Sequence, residues 1–334
     1  MALALTLWVW GGHGLDAYSA QRIRLGTIVP KGSSYYNHLM QMGQEWKEAP
    51  DGGAQLTVYP DGRMGGEEEM IRRIRNGQLQ AGLLTTVGIS KIEPAVGGLQ
   101  SMPMMFNSLE EVDYIGEILQ PELERSLEQK GFVVLFWTDT GWIRFFSSKP
   151  VIYPDDLRAL KIWSWAGNPA QVDIYKKGGF NPVPLETKDI VLSFQTKAVS
   201  AIPMPTTPAM ASQLDQLAPH MLELNWAPLI GAAIVDKDVW EKISMNDRRI
   251  MKEAAAKAGK AMKFDARKEA SESVDAMVQR GLTVHRVTPE IEAKWREAAE
   301  SAYPEIRGRL VPEEVVDRVQ ALLKEYRSRK NSSP

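Results

Sequence analysis

Three histidines, His38, His220 and His285, stand far apart beyond residue 20, with neither metal-ligand spacing nor a Gly-x-Ser-x-Gly companion. The chain has no cysteine, which removes disulfides, thiol catalysis, thiolate metal sites, covalent haem and lipid anchoring through an N-terminal cysteine. Neither a phosphate loop nor a dinucleotide fingerprint is present. A hydrolase needs a positioned nucleophile and base, and the sequence offers no such pair. No catalytic residue, metal site or cofactor is therefore expected, and the chain does not read as an enzyme. What remains is non-covalent chemistry. Trp137, Trp142, Trp163 and Trp165 fall within one short stretch, Phe136, Phe145 and Phe146 lie among them, and Trp226 precedes a later strand. Such rings offer apolar area at about 25 cal/mol per Å² removed from water. The three phenylalanines read as core. Thr85 and Thr86, at a strand's carboxyl end, offer hydroxyls for hydrogen bonds.

The elements that must position these residues alternate. Polar and apolar residues alternate from Arg22 to Pro30, as in a strand stopped by proline, and a helix follows from about Tyr35 to Glu48 after Ser33-Ser34. A strand over Gln55 to Tyr59 leads through Gly65-Gly66 into a helix, Glu67 to Asn76, with its acidic residues in the first turn. Leu79 to Thr85 is a strand, Ser108 to Lys130 a helix and Phe132 to Trp137 an apolar strand. A second set follows: strands at Leu160 to Trp165, Pro182 to Leu185 and Val199 to Met204, with helices after Asn168 and over Thr187 to Lys197. Ile230 to Val235 reads as one more buried strand. From Ser244 the chain is chiefly helical, with a short strand at Leu282 to Val287. This is an α/β pattern with mostly parallel sheets flanked by helices. Two αβ halves with later elements passing back between them imply two lobes joined by several crossings. Ligand then binds in the cleft outside the carboxyl ends of the strands.

A chain of 334 residues suits two domains. Lys plus Arg, 40, nearly balances Asp plus Glu, 42, without long blocks, so no nucleic-acid partner is implied. Ala2 to Trp10 is an apolar run followed by the small residues Ala17-Tyr18-Ser19-Ala20. It fits a signal peptide over 1–20, too short to span a bilayer, with a mature start near Gln21.

Five segments in order resemble the DctP-type substrate-binding proteins of tripartite ATP-independent periplasmic (TRAP) transporters. They are Leu25-Gly26-Thr27-Ile28-Val29-Pro30-Lys31-Gly32-Ser33, then Tyr59-Pro60-Asp61-Gly62-Arg63-Met64-Gly65-Gly66-Glu67-Glu68-Glu69-Met70, and Asn76-Gly77-Gln78-Leu79-Gln80-Ala81-Gly82-Leu83. Ser148-Lys149-Pro150-Val151 runs into Pro154-Asp155-Asp156-Leu157-Arg158-Ala159-Leu160-Lys161-Ile162, and Val235-Asp236-Lys237-Asp238-Val239-Trp240 closes the set. The resemblance implies a periplasmic receptor that delivers a small molecule to TRAP permease subunits, with two α/β domains bridged by a long helix after Ser244. The expected division is 21–140 with 231–270 as domain I and 141–230 with 271–330 as domain II.

The family's polar anchors are missing. An arginine that holds an organic acid commonly follows the lysine-isoleucine of the second domain's strand, and here Trp163 follows Lys161-Ile162. A second arginine often lies two residues beyond a glycine, but Gly141 is followed by Trp142 and Ile143. The family's asparagine before a proline corresponds to Met204, before Pro205. A carboxylate enclosed without a charged partner costs several kcal/mol. The expected site is therefore apolar: Trp163, Met204, Ile143, Trp142 and Trp226 on one side, with Tyr35, Phe106, Glu67 and Thr85 on the other. Arg144 is the possible charged anchor, although strand alternation turns it away from Ile143 unless a bulge intervenes. The expected ligand is small and largely apolar or aromatic. Two alternatives stand beside it: a carboxylate receptor using Arg144, and a carrier of hydrophobic molecules without a TRAP permease.

Overall fold

The computed structural model describes residues 21–331, so the signal peptide expected over 1–20 lies outside them. The first elements are β1 (Gln21–Thr27), α1 (Ser34–Lys47), β2 (Ala54–Tyr59), α2 (Glu67–Arg75), β3 (Ala81–Thr85), α3 (Thr86–Ile89) and α4 (Leu109–Gln129). Next come β4 (Phe132–Ser147), α5 (Pro154–Arg158), β5 (Lys161–Trp165), α6 (Pro169–Lys177), β6 (Asn181–Leu185), α7 (Ile190–Gln195), β7 (Ala201–Pro205), α8 (Thr206–Ala211) and β8 (His220–Leu222). The remainder is β9 (Pro228–Asp236), α9 (Lys237–Glu241), α10 (Met245–Gln279), β10 (Thr283–His285), α11 (Pro289–Ser301), α12 (Tyr303–Ile306) and α13 (Glu313–Asn331).

The strands lie in the order β2-β1-β3-β9-β4-β7-β5-β6, with β8 beside β4 and β10 beside β8. Pairing is parallel for β1 with β2 and β3, for β5 with β6 and β7, and for β8 with β10. Helices supply the crossovers that parallel neighbours require. The antiparallel contacts gather around β9 and β4, the strands that pass through the middle. The expected α/β layout is thus present, with two sheet halves sharing one long strand.

That strand is β4. The apolar run predicts a strand only to Trp137, but β4 continues for 16 residues. Thr138-Asp139-Thr140-Gly141 looks like a turn in sequence. Here the backbone irregularity between Asp139 and Trp142, with Gly141 at φ 73°, carries the strand from β9 to β7 instead. Alternation then places Phe145 and Phe146 in different cores, with Trp295 and Ile162 on one face and Ile202 and Met277 on the other. All three phenylalanines are buried.

α1 turns a stripe of Tyr35, Leu39, Met42 and Trp46 inward, and its Ser33 hydroxyl caps the helix by accepting from Tyr36 N–H. Trp46 donates its indole N–H to Met251 O at 2.9 Å and rests against Trp240, centroids 6.1 Å apart. α10 has 35 residues, about 52 Å at 1.5 Å per residue, and packs on α1 and β4, then on α8. Its first two-thirds contribute Ala255 and Met262 to the first half's core and its end contributes Met277 to the second. Gly259 allows the approach to β4: a Cβ there would lie 2.6 Å from Phe136. α13 departs from the expected division. Val316, Val319 and Leu323 pack with Val112, Ile115 and Leu119 of α4 in the first half's core, which also takes in Ile306 and Val311.

One ionic cluster fastens α10 to β4. Arg267 Nη2 lies 2.7 Å from Asp113 Oδ1 and 2.8 Å from Asp139 Oδ2, while Arg267 Nε donates to Asp139 Oδ1 at 3.1 Å. Burial favours loss of the Arg267 charge, but the two carboxylates outweigh it and hold the guanidinium firmly protonated. Burial also opposes ionisation of Asp113, yet Arg267 and Lys263 hold its carboxyl below the ordinary value.

Asp139 is only 4% exposed, so Arg267→Met should cost about 3 kcal/mol in urea unfolding, most of it recovered when Asp139→Asn is added. A second expectation concerns pH. β8 and β10 place His220 Nδ1 3.1 Å from His285 Nε2. Burial first, and His285 second, hold His220 below its ordinary pKa of 6.5. The fold therefore favours the neutral ring. That contribution is present above 6.5 and is lost as pH falls from there through the depressed native value. Thermal unfolding of the native chain should shift to lower temperature between pH 7 and 5, and His220→Gln should flatten that dependence.

Candidate ligand-binding cleft

A cavity of about 410 Å³ opens where the carboxyl ends of β3, β5 and β7 face one another. The first half supplies Val87, Gln100 and Ser101, and the second supplies Ile143, Trp163 and Trp226. Gln100 is held in place because its side-chain oxygen accepts from Thr86 Oγ1 and from Ile230 N–H, both at 2.8 Å.

Trp226 sits in the segment before β9, which backbone hydrogen bonds tie to β4. Ile143 N–H donates to Ala227 O at 2.8 Å, Trp226 N–H to Ile143 O at 3.3 Å, and Met104 N–H to Trp226 O at 2.7 Å. The Trp226 ring packs against Phe145 and edge-on against Trp295, centroids 5.2 and 5.8 Å apart. Trp295 is itself pinned by its indole N–H donating to Ile152 O at 2.8 Å. Trp163 leans on Trp165, centroids 5.3 Å apart. The Trp163 indole N–H and the Ser164 hydroxyl are buried without a hydrogen-bond partner among the described residues.

Two cations line the cavity, and both are engaged. Arg158 pairs with Asp155, donates to Gly178 O at 2.9 Å and stacks over Phe180 at 5.1 Å. Lys177 meets Glu305 at 2.5 Å. An uncompensated anion entering here finds no free positive charge among the described lining residues.

Of the residues singled out from sequence, Ile143, Trp163 and Trp226 are brought together on this wall. The others stand elsewhere. Met204 lies on the opposite face of β7, packed with Ile202 and Phe146, while the adjacent Pro203 lines the cavity. Arg144 pairs in register with Met204 and makes no hydrogen bond or ion pair among the described residues. Burial lowers its pKa, against the opposing pull of Glu223. Trp142 and Phe106 pack into the first half's core. Tyr35 is 8% exposed on the other side of β4, its hydroxyl donating to Asp139 O at 2.6 Å.

Thr85 and Glu67 hold each other. Thr85 N–H donates to Glu67 Oε1 at 2.6 Å, while Thr85 Oγ1 and Gly88 N–H donate to Glu67 Oε2 at 2.6 and 3.0 Å. Burial dominates and raises the Glu67 pKa, those bonds oppose it, and Glu186 adds to the rise. Glu67 also borders a neighbouring recess of about 730 Å³, shared with Trp165, Gly167 and Glu186 of the second half. At Gly66, where α2 begins, an added Cβ would lie 2.5 Å from Glu186 Oε2 and would push that carboxylate aside.

The cavity also has walls that sequence reasoning missed: Gln171 and Tyr175 on α6, with Ala298, Ser301 and Ala302 at the end of α11. The small residues at 298, 301 and 302 share one helix face, a spacing visible in sequence, but alanine and serine there read as ordinary helix filler.

The DctP family, described as bacterial extracellular solute-binding protein, family 7, matches residues 25–309. The 2,3-diketo-L-gulonate-binding periplasmic protein of Escherichia coli is 22% identical over 280 residues, covering 81% of this chain and 84% of that protein. The C4-dicarboxylate-binding periplasmic protein of Rhodobacter capsulatus is 23% identical over 273 residues, 79% of this chain and 80% of its own. Among solved structures, a TRAP periplasmic solute-binding protein of Ralstonia eutropha H16 with bound (S)-2-acetolactate superposes with a TM-score of 0.84 at 20% identity, covering 91% and 99% of the two chains.

Removing the Glu67 carboxylate orphans three donors at the start of α3. Glu67→Ala should lower unfolding free energy by about 2–4 kcal/mol in urea titration without ligand.

Proposed function

The chain belongs to the DctP family of bacterial extracellular solute-binding proteins, and on that premise we propose that it receives a small, largely apolar or aromatic ligand in the periplasm for a TRAP-type transporter. Members of this family are binding proteins rather than enzymes. The permease subunits, the periplasmic location and an exported precursor with a signal peptide over 1–20 are part of the proposal.

The observation that carries the ligand class is the cavity wall itself. Ile143 and Trp163 stand where the family resemblance expects arginines, Trp226 adjoins them, and the cations that line the cavity are already paired. The relatives described above are named for acids, and one binds acetolactate. In those proteins a carboxylate needs a charged partner, whose loss would forgo about 1.5–3 kcal/mol per hydrogen bond. Here the same positions offer apolar area.

The domains we propose are 21–140 with 231–270, joined by 302–331, and 141–230 with 271–301. Ligand favours their closure only by the extra contacts it makes in the closed state, so it must touch both walls. Val87 and Ser101 face Ile143 and Trp226 across the cavity for that purpose.

A second reading is favoured by Arg144, a half-buried guanidinium without a hydrogen bond or ion pair among the described residues. Rotation of β4 at the Gly141 irregularity would turn it towards a carboxylate.

Calorimetry separates the two. The native chain should show no submicromolar binding of succinate or short 2-keto acids, and such binding, abolished by Arg144→Ala, would establish the second reading. Trp163→Arg should weaken the ligand that co-purifies with the native protein by at least ten-fold.

A further inference from the structure

The cavity does not end at the cleft. From Trp163 and Trp226 it continues between α6 and the α11–α12 corner, where Gln171 and Tyr175 face Ala298, Ser301 and Ala302. Larger side chains at those three helix positions would fill the gap that alanine and serine leave. Across the outer rim Lys177 bonds to Glu305 at 2.5 Å, and Arg309 meets Glu305 at 2.9 Å and Asp173 at 3.7 Å. These pairs tie α6 to α12.

Tyr175 marks the interior. Its ring meets Phe180 edge-on with centroids 6.0 Å apart. Its hydroxyl makes no hydrogen bond among the described residues, and burial pushes its pKa up to about 12. A phenol at that pKa is neutral at physiological pH and acts as donor or acceptor. A half-buried hydroxyl that makes no hydrogen bond among the described residues is open to a polar group from a guest.

We propose that this channel is a second compartment of the ligand site and that the ligand is elongated and uncharged. Its apolar body lies against Ile143, Trp163 and Trp226, and its far end carries a hydroxyl or carbonyl to Tyr175 and Gln171. This rests on the apolar cleft proposed above and extends it: a short apolar ligand uses the cleft alone, whereas a longer one uses both compartments. The cavity volume of about 410 Å³ lies within the range for sites that enclose such molecules.

Two neutral probes separate the compartments, phenol for the cleft and 4-phenylphenol for cleft plus channel. The native protein should bind 4-phenylphenol at least ten-fold more tightly than phenol by calorimetry. Ala298→Phe, with circular dichroism to verify the fold, should remove that advantage and leave phenol within two-fold. Ala302→Leu serves as the obstruction if the first variant does not fold. Tyr175→Phe should weaken 4-phenylphenol about five-fold and leave phenol unchanged. If both probes bind but the obstructing variants alter neither or both equally, the channel is not part of the site and the inference is overturned. If neither probe binds the native protein while succinate or a 2-keto acid does, the apolar cleft itself is wrong and the inference falls with it.

Discussion

The Arg267 cluster sits where the strand shared by the two halves passes from one to the other. β4 leaves its β9 pairing and enters its β7 pairing between Asp139 and Trp142, and at that place Arg267 of α10 grips both Asp139 and Asp113. A buried carboxylate is tolerated only when paired and hydrogen-bonded, and Asp139 has the guanidinium, the Gly141 N–H and little solvent. The cluster therefore fixes three elements at once: the bridging helix, the shared strand and α4. Two residues past Gly141 stands Ile143, the first wall of the cavity. The geometry of the cleft inherits its reference point from this ionic contact.

Much of the fold was legible because its signals are local. The strand-helix alternation through β3, the capping serine before α1 and the glycine pair before α2 each follow from side-chain preferences that act within a few residues. β4 was only half legible. Its polar middle satisfies itself through Arg267, a partner 128 positions away, and no window of sequence contains that information. α13 went astray for a related reason: its apolar stripe is plain, but which half it covers depends on α4 offering Val112, Ile115 and Leu119.

The site shows the same division. Ile143 and Trp163, singled out at anchor positions defined by family order, and Trp226, singled out as a ring before a late strand, line one cavity. Met204, singled out by the same logic, packs against the cluster of Ile202, Phe146 and Trp163. A strand alternates, so an error of one position moves a side chain across the sheet, and Pro203 takes the place on the cavity wall. Tyr35 and Phe106 were chosen as large rings near the right segments. Both are consumed by core packing, and nothing local in a sequence distinguishes a ring that faces a core from one that faces a cleft.

The paired cations set what closure can be made of. Moving a two-state hinge from mostly open to mostly closed takes about 5.5 kcal/mol of differential binding. At about 25 cal/mol per Å² that is about 220 Å² of apolar surface removed from water on closing, the scale of one large aromatic side chain. A flat two-ring body between Val87 and Trp226 has that much surface to give. A short carboxylate does not, and with Arg158 and Lys177 already committed it would enter with its charge uncompensated. On the proposed apolar reading, closure would rest on area rather than on charge, and the length of the cavity would decide how much area a guest brings.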